Sequence, residues 1–267
     1  MAIYNTIGSN YNKNRSADYR ITNQLKSLID LPKNSKIADI GAGTGNYTNE
    51  LASLGFSVDA IEPSSKMIDQ ATKLDNVKWI QSSVEKMELN ENYYDCILSI
   101  LSIHHFSSIT TALSKIKNSL KENGSLIVFG ADPRKIDTDC WFKDYFGEMI
   151  EKAKDSYTEL SELISKIEST FHNKVEYYPF SIPHDITDGF FYAGWQKPEK
   201  YLDENFRNSI SVFAKAPKNL LNKATKKLTE DLQSGKWDEK HGKIRTLKKY
   251  NGGYYFLRIK NTPHNNR

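Results

Sequence analysis

Asp39, Gly41, Gly43, Gly45 and Glu62 carry the most specific chemical signal in this chain. Ile37, Ala38 and Ile40 form a short apolar run that ends in Gly41-Ala-Gly43-Thr-Gly45, and the helix-compatible stretch 46–54 follows, so the chain reads as strand, tight turn, helix. Glycines at such a turn take positive φ and let a ligand approach the main chain without a Cβ in the way. A second apolar run, 57–61, delivers Glu62 to the C-terminal edge of the adjacent strand, seventeen positions after Gly45. There a carboxylate can accept hydrogen bonds from both hydroxyls of a ribose. Together these features outline a site for an adenosine-containing cofactor.

The spacing bears on which cofactor. A dinucleotide fingerprint, Gly-x-Gly-x-x-Gly, needs its third glycine where this chain has Asn46. The pattern is instead Gly-x-Gly-x-Gly preceded by Asp39, and a carboxylate beside the turn suits an ammonium group better than phosphates. S-adenosyl-L-methionine has that ammonium and no phosphate. Asp39-Ile-Gly-Ala-Gly-Thr-Gly-Asn46 resembles the first motif of class I S-adenosylmethionine-dependent methyltransferases, and later stretches agree in order. Val58-Asp-Ala-Ile-Glu62 resembles the acidic second motif, Val77–Ile80 the third strand, Tyr94–Ser99 the fourth, and Leu120–Phe129 the turn and fifth strand. The resemblance covers residues 1–135 well and the rest in outline. It implies an α/β fold, a doubly wound, mostly parallel, seven-stranded Rossmann-like sheet with a helical cap. It also implies S-adenosyl-L-methionine as cofactor and S-adenosyl-L-homocysteine as product. Met67 then packs on the adenine, the loop at Ser83 and Val84 reads the adenine edge, and Ser99 ends the fourth strand beside the cofactor. Ser83 departs from the aspartate that the family often has in this loop. A hydroxyl accepts the amine's hydrogen bond without charge assistance, so stacking and backbone groups near Val84 must do more of the holding.

A sulfonium methyl is already activated, so the protein must align a nucleophile with it and exclude water. A base is needed only if the nucleophile arrives protonated. In the resemblance the loop Ser99-Ile-Leu-Ser-Ile-His104-His105 runs past the methyl group, and histidine titrates in the right range. His104 and His105 are therefore the catalytic candidates. The alternative is that the rings only bond the loop backbone and shape the pocket. No carboxylates converge on the pair at ligand spacing, so a metal is not expected. Residues 1–16 are polar but contain Tyr4, Tyr11 and Arg15, and they resemble the tyrosine-rich lids of small-molecule methyltransferases. Tyr11 and Arg15 would then face the cofactor, with Arg15 on the methionine carboxylate. A frayed terminus is the other reading.

The elements that must position these groups divide into a lid (1–16), a cofactor-binding core (17–135) and a cap (136–267) arranged around the last two strands. Leu160, Leu163, Ile164, Ile167 and Phe171 define a helix over 157–171, the stretch 175–182 alternates like a strand, and 254–260 reads as a final strand; the resemblance implies that these two pair as an antiparallel hairpin at the sheet edge. The span 184–251 is then a long helical insertion that roofs the cleft and sets acceptor choice. Its aromatic stretch, with Phe190, Tyr192 and Trp195, reads either as the cap's core or as a pocket for a flat or hydrophobic acceptor.

With 267 residues, 38% of them hydrophobic, the chain can bury one substantial core, and no apolar run has membrane-spanning length. The absence of a basic-plus-apolar leader and the presence of only two cysteines, Cys96 and Cys140, point to a reducing cytoplasm. They also argue against the multi-cysteine sites of arsenic methyltransferases and radical enzymes. The net charge of +4 is local: residues 214–250 hold eleven Lys or Arg against four Asp or Glu. That stretch fits nucleic acid, but Leu220, Leu221, Ala224, Leu228 and Leu232 recur at helical spacing, which makes the lysines a wet helix face. No Asn/Asp-Pro-Pro-Tyr motif of DNA base methyltransferases follows the fourth strand. The expectation is methylation of a small-molecule acceptor at O, N or C, with no nucleic-acid or membrane partner. An RNA-modifying enzyme and a non-catalytic cofactor-binding protein are the rivals.

Overall fold

Near-continuous burial along the central strands marks a sheet covered on both faces. In the computed structural model, which describes residues 14–88, 90–137 and 140–262, the strands are β1 (Lys36–Ile40), β2 (Ser57–Ile61), β3 (Val77–Ile80), β4 (Tyr94–Ile100), β5 (Leu120–Ala131), β6 (Glu176–Pro183) and β7 (Lys249–Lys260). Their order is β3-β2-β1-β4-β5-β7-β6. The first five are parallel, while β7 runs antiparallel to both β5 and β6. The order reverses between β1 and β4, so a crevice opens at their C-terminal ends, where ligands bind in open α/β sheets.

Ile37, Cys96, Leu98 and Phe129 face one side and pack with α1 (Tyr19–Ile29), α2 (Asn46–Ser53) and the cap; Ala38, Ile40, Ile97 and Val128 face the other. A one-turn helix, α3 (Ser65–Ile68), follows Glu62, and α4 (Ile109–Ser119) and α6 (Leu160–Phe171) cover the second face. The cap comprises α5 (Phe142–Lys154), α7 (Glu204–Asn208), α8 (Ser211–Ala214), α9 (Lys218–Gln233) and α10 (Lys236–His241). Its aromatic core, with Trp141, Trp195, Tyr201 and Trp237, is continuous with the first face of the sheet. The indole of Trp141 donates to the Trp195 carbonyl at 2.8 Å. Cys96 on β4 and Cys140 just before α5 are free, buried thiols in that same cluster. Among the described residues no helix is long and apolar enough to cross a membrane.

Two boundaries differ from the sequence pattern by more than two residues. The helix expected from 157 begins at Leu160, because the Asp132 carboxylate accepts the Leu160 N–H at 3.0 Å and fixes the first turn there. Residues 155–156 form a turn, and 157–159 lead irregularly into the helix. The last strand starts at Lys249, not 254, since the Gly252-Gly253 pair is a bulge within the strand: Gly253 has φ 75° and a Cβ there would lie 2.3 Å from the Asp132 carbonyl oxygen. Helix α9 buries Ala224 and Leu228 and leaves its lysines exposed.

Candidate functional site

The three glycines of the turn all have positive φ, 75° at Gly41, 60° at Gly43 and 83° at Gly45. The N–H groups of Gly41 and Ala42 both donate to the Ile61 carbonyl, which binds the turn to the end of β2. Gly41 is also a steric requirement, because a Cβ there would lie 2.4 Å from Cβ of Ser102 in the loop after β4. Glu62 is pinned as well: Oε2 accepts the Gly43 N–H at 3.0 Å and Oε1 the Ser64 N–H at 2.9 Å. Burial raises its pKa, and those two bonds oppose the rise.

Asp39 is 2% exposed. One oxygen accepts from the Thr48 hydroxyl at 2.6 Å; the other has no hydrogen-bond partner among the described residues. Burial, with the Glu62 charge as a lesser cause and the Thr48 bond opposing, pushes its pKa up to about 6. A buried carboxylate oxygen without a donor, beside a pinned carboxylate and a turn whose three glycines all have positive φ, fits a ligand carrying an ammonium and a ribose.

These groups open on a cleft of about 970 Å³. Asp39, Gly41, Gly43, Glu62, Met67, Ser83, Val84, His104, His105 and Arg15 all line it. Gly45 does not; it is the N-cap of α2, and a Cβ there would meet the Trp79 ring at 2.8 Å. Ser99 is a layer behind the wall, fully buried and 2.7 Å from the Ser102 hydroxyl, which in turn donates to the Ile40 carbonyl. Ser83 bonds the Glu85 carboxylate, which also accepts the Ser107 N–H at 2.6 Å and ties the loop after β3 to the loop after β4. Tyr4 and Tyr11 lie outside the described residues.

Arg15 does line the cleft, but its guanidinium is paired with Asp188, a buried residue that also accepts from Tyr47 Oη at 3.1 Å. The half-buried ring of His104 stacks on Tyr157, with centroids 4.4 Å apart and planes at 10°, and also contacts the His105 ring at 3.9 Å. Burial, His105, Lys215 and Arg15 together hold the His104 pKa well below its ordinary value. Crowding by the cleft walls and then the Lys215 ammonium push His105 down to about 4, so both rings are neutral at neutral pH. Leu101, just before them, has φ 51°, a strained conformation for a leucine at a cleft wall.

Tyr157, Asp188 and Lys215 line the cleft without having been singled out from the sequence. Tyr157 begins an apparent helix, Asp188 sits in a turn-like Thr-Asp-Gly, and Lys215 is one lysine among many. His184 and Asp185, which open the long insertion in the sequence, do not line it; Asp185 pairs with Arg20. Phe190, Tyr192 and Trp195 are buried in the cap core, although Phe190 also borders a recess of about 60 Å³ beside His104 and Tyr157.

Comparison with known proteins adds to this geometry. The profile of a family described as a methyltransferase domain matches residues 38–128. A crystal structure from Anabaena variabilis, described as a methyltransferase from an antibiotic biosynthesis pathway, is 37% identical over 92% of this chain and 98% of its own length, with a TM-score of 0.88. An uncharacterized methyltransferase of Alkaliphilus oremlandii is 28% identical over 74% of this chain and 88% of its own. A Dictyostelium discoideum methyltransferase homologue is 34% identical over 116 residues, 42% of this chain and 44% of that protein, so the chain spans less than half the length of that relative.

Proposed function

Because the chain belongs to the class I S-adenosylmethionine-dependent methyltransferases, we propose that it transfers the methyl group of S-adenosyl-L-methionine to a small-molecule acceptor held beneath the helical cap. The observation that carries this reading is the shared cleft. At about 970 Å³ it lies near the top of the range of roughly 300–1,000 Å³ for single-ligand sites, and it brings Asp39 and Glu62 into one space with His104, Tyr157 and Lys215. That volume supports a reading in which a cofactor and a small acceptor share the cleft.

When bound, S-adenosyl-L-methionine supplies a methyl group already activated by its sulfonium. The unpaired Asp39 oxygen would receive the ammonium, Glu62 the ribose hydroxyls, and Met67 with the backbone at Val84 the adenine. On the acceptor side, His104 is neutral and neither ring nitrogen bonds another described residue. It can accept a hydrogen bond from a hydroxyl or amine and orient the lone pair that attacks. The Tyr157 ring fixes the plane of that imidazole.

The test is S-adenosyl-L-homocysteine formation against a pool of small metabolites and against RNA. Turnover on a small acceptor supports the reading. Cofactor binding without turnover, or methylation confined to RNA with a steep salt dependence, overturns it.

A further inference from the structure

A second, smaller recess of about 80 Å³ opens beside the histidine pair, and its lining is unusual in charge. His104 and His105 form one wall, and Lys152 and Ser156 at the end of α5 with Ser211 and Lys215 around α8 form the others. No Asp or Glu among the described residues lines it. The other cations of the main cleft have partners: Arg15 pairs with Asp188, and Lys166 with Glu162 at 2.7 Å. Lys152 and Lys215 have no ion-pair partner among the described residues, and the hydroxyls of Ser156 and Ser211 bond none of them. An anion entering the recess would meet both ammonium groups and no carboxylate among the lining residues.

We propose that this recess binds the anionic group, a carboxylate or a phosphate, of the acceptor that the cleft methylates, an inference that rests on the methyl-transfer reading above. Lys152 and Lys215 supply the charge, and Ser156 and Ser211 supply neutral donors. Neutral imidazoles at the shared wall add no competing positive charge to the acceptor's nucleophile. Anchored there, the acceptor extends past His104, which lines both cavities, into the main cleft.

Calorimetric titrations of the S-adenosyl-L-homocysteine-saturated protein with benzoate, phenyl phosphate and neutral benzamide test this. At least one anion binds roughly tenfold or more tightly than benzamide, and the stronger of the two identifies the natural group. In the Lys152→Gln/Lys215→Gln protein that preference disappears while S-adenosyl-L-homocysteine affinity is retained. The proposal is overturned if benzamide binds as well as both anions, or if the double variant keeps the preference. Failure of the wild-type protein to bind S-adenosyl-L-homocysteine sinks the methyl-transfer reading too; binding of it without anion preference sinks only the assignment of the recess.

Discussion

Asp39 keeps one oxygen on Thr48 and leaves the other without a donor in a buried site, so the apoprotein holds this carboxylate at a pKa of about 6 against an ordinary 3.8. Between those values the folded chain binds a proton that the unfolded chain has released. Asp39 therefore subtracts stability as pH rises through that window. Asp39→Asn should make the cofactor-free protein more stable at neutral pH, by up to about 3 kcal/mol, in denaturant titrations. The same change should weaken S-adenosyl-L-methionine binding about 10- to 100-fold. Wild-type affinity should fall below about pH 6 as Asp39 protonates, and calorimetry across that range should find the variant's affinity flat. His104 behaves oppositely. Its lowered pKa keeps it neutral as the solution is acidified from neutrality, so kcat should show no histidine inflection near pH 6.5. His104→Ala should lower kcat roughly 100-fold while leaving cofactor affinity intact; equal turnover would leave it a wall residue.

The crossing of the glycine turn and the loop after β4 is what makes the cleft tight. Gly41→Ala puts a methyl group 2.4 Å from Ser102 Cβ at a positive φ. It should lower the melting temperature and abolish measurable cofactor binding, with the backbone strain alone costing about 1–2 kcal/mol. Ser102→Gly added to it should restore only the steric part. Gly41, β1, β2 and Glu62 were legible in the sequence because their roles are local: an apolar run, a turn without side chains, and an acidic residue one strand later. The strand at β6 was legible from alternation and its pairing with β7 from the family resemblance, but the start of β7 was masked by a glycine bulge whose purpose, making room for the Asp132 carbonyl, is set by a residue more than a hundred positions away. Tyr157 was hidden for the same kind of reason. Its helix is shortened by the Asp132 carboxylate, and its partner His104 lies on the other side of β5 in sequence. Asp188 looks like a turn residue until Arg15 and Tyr47 are brought to it.

At the scale of the whole molecule, the start of the described chain is fastened to the cap. Arg15 and Tyr47 meet Asp188, Ser16 donates to the Thr187 carbonyl, Thr187 donates to Asp18, and Arg20 reaches Asp185. Gly189 donates to the Asn14 carbonyl, so close that a Cβ there would lie 2.2 Å from that oxygen. Asp188→Ala removes the buried carboxylate that Arg15 and Tyr47 share and should cost about 1–3 kcal/mol of stability. It should also weaken cofactor binding, because Arg15 and Asp188 both line the cleft; a loss within about 0.5 kcal/mol would mean the pair is energetically idle. The two free thiols give the molecule a built-in clock. Burial raises the pKa of both, so neither reacts with iodoacetamide until its surroundings open. Cys96 lies on a central strand and Cys140 under the cap, yet both belong to one continuous apolar cluster. Alkylation of the two should therefore advance at a common rate that bound cofactor slows equally; a faster Cys140 would reveal a cap that breathes on its own while the sheet stays shut.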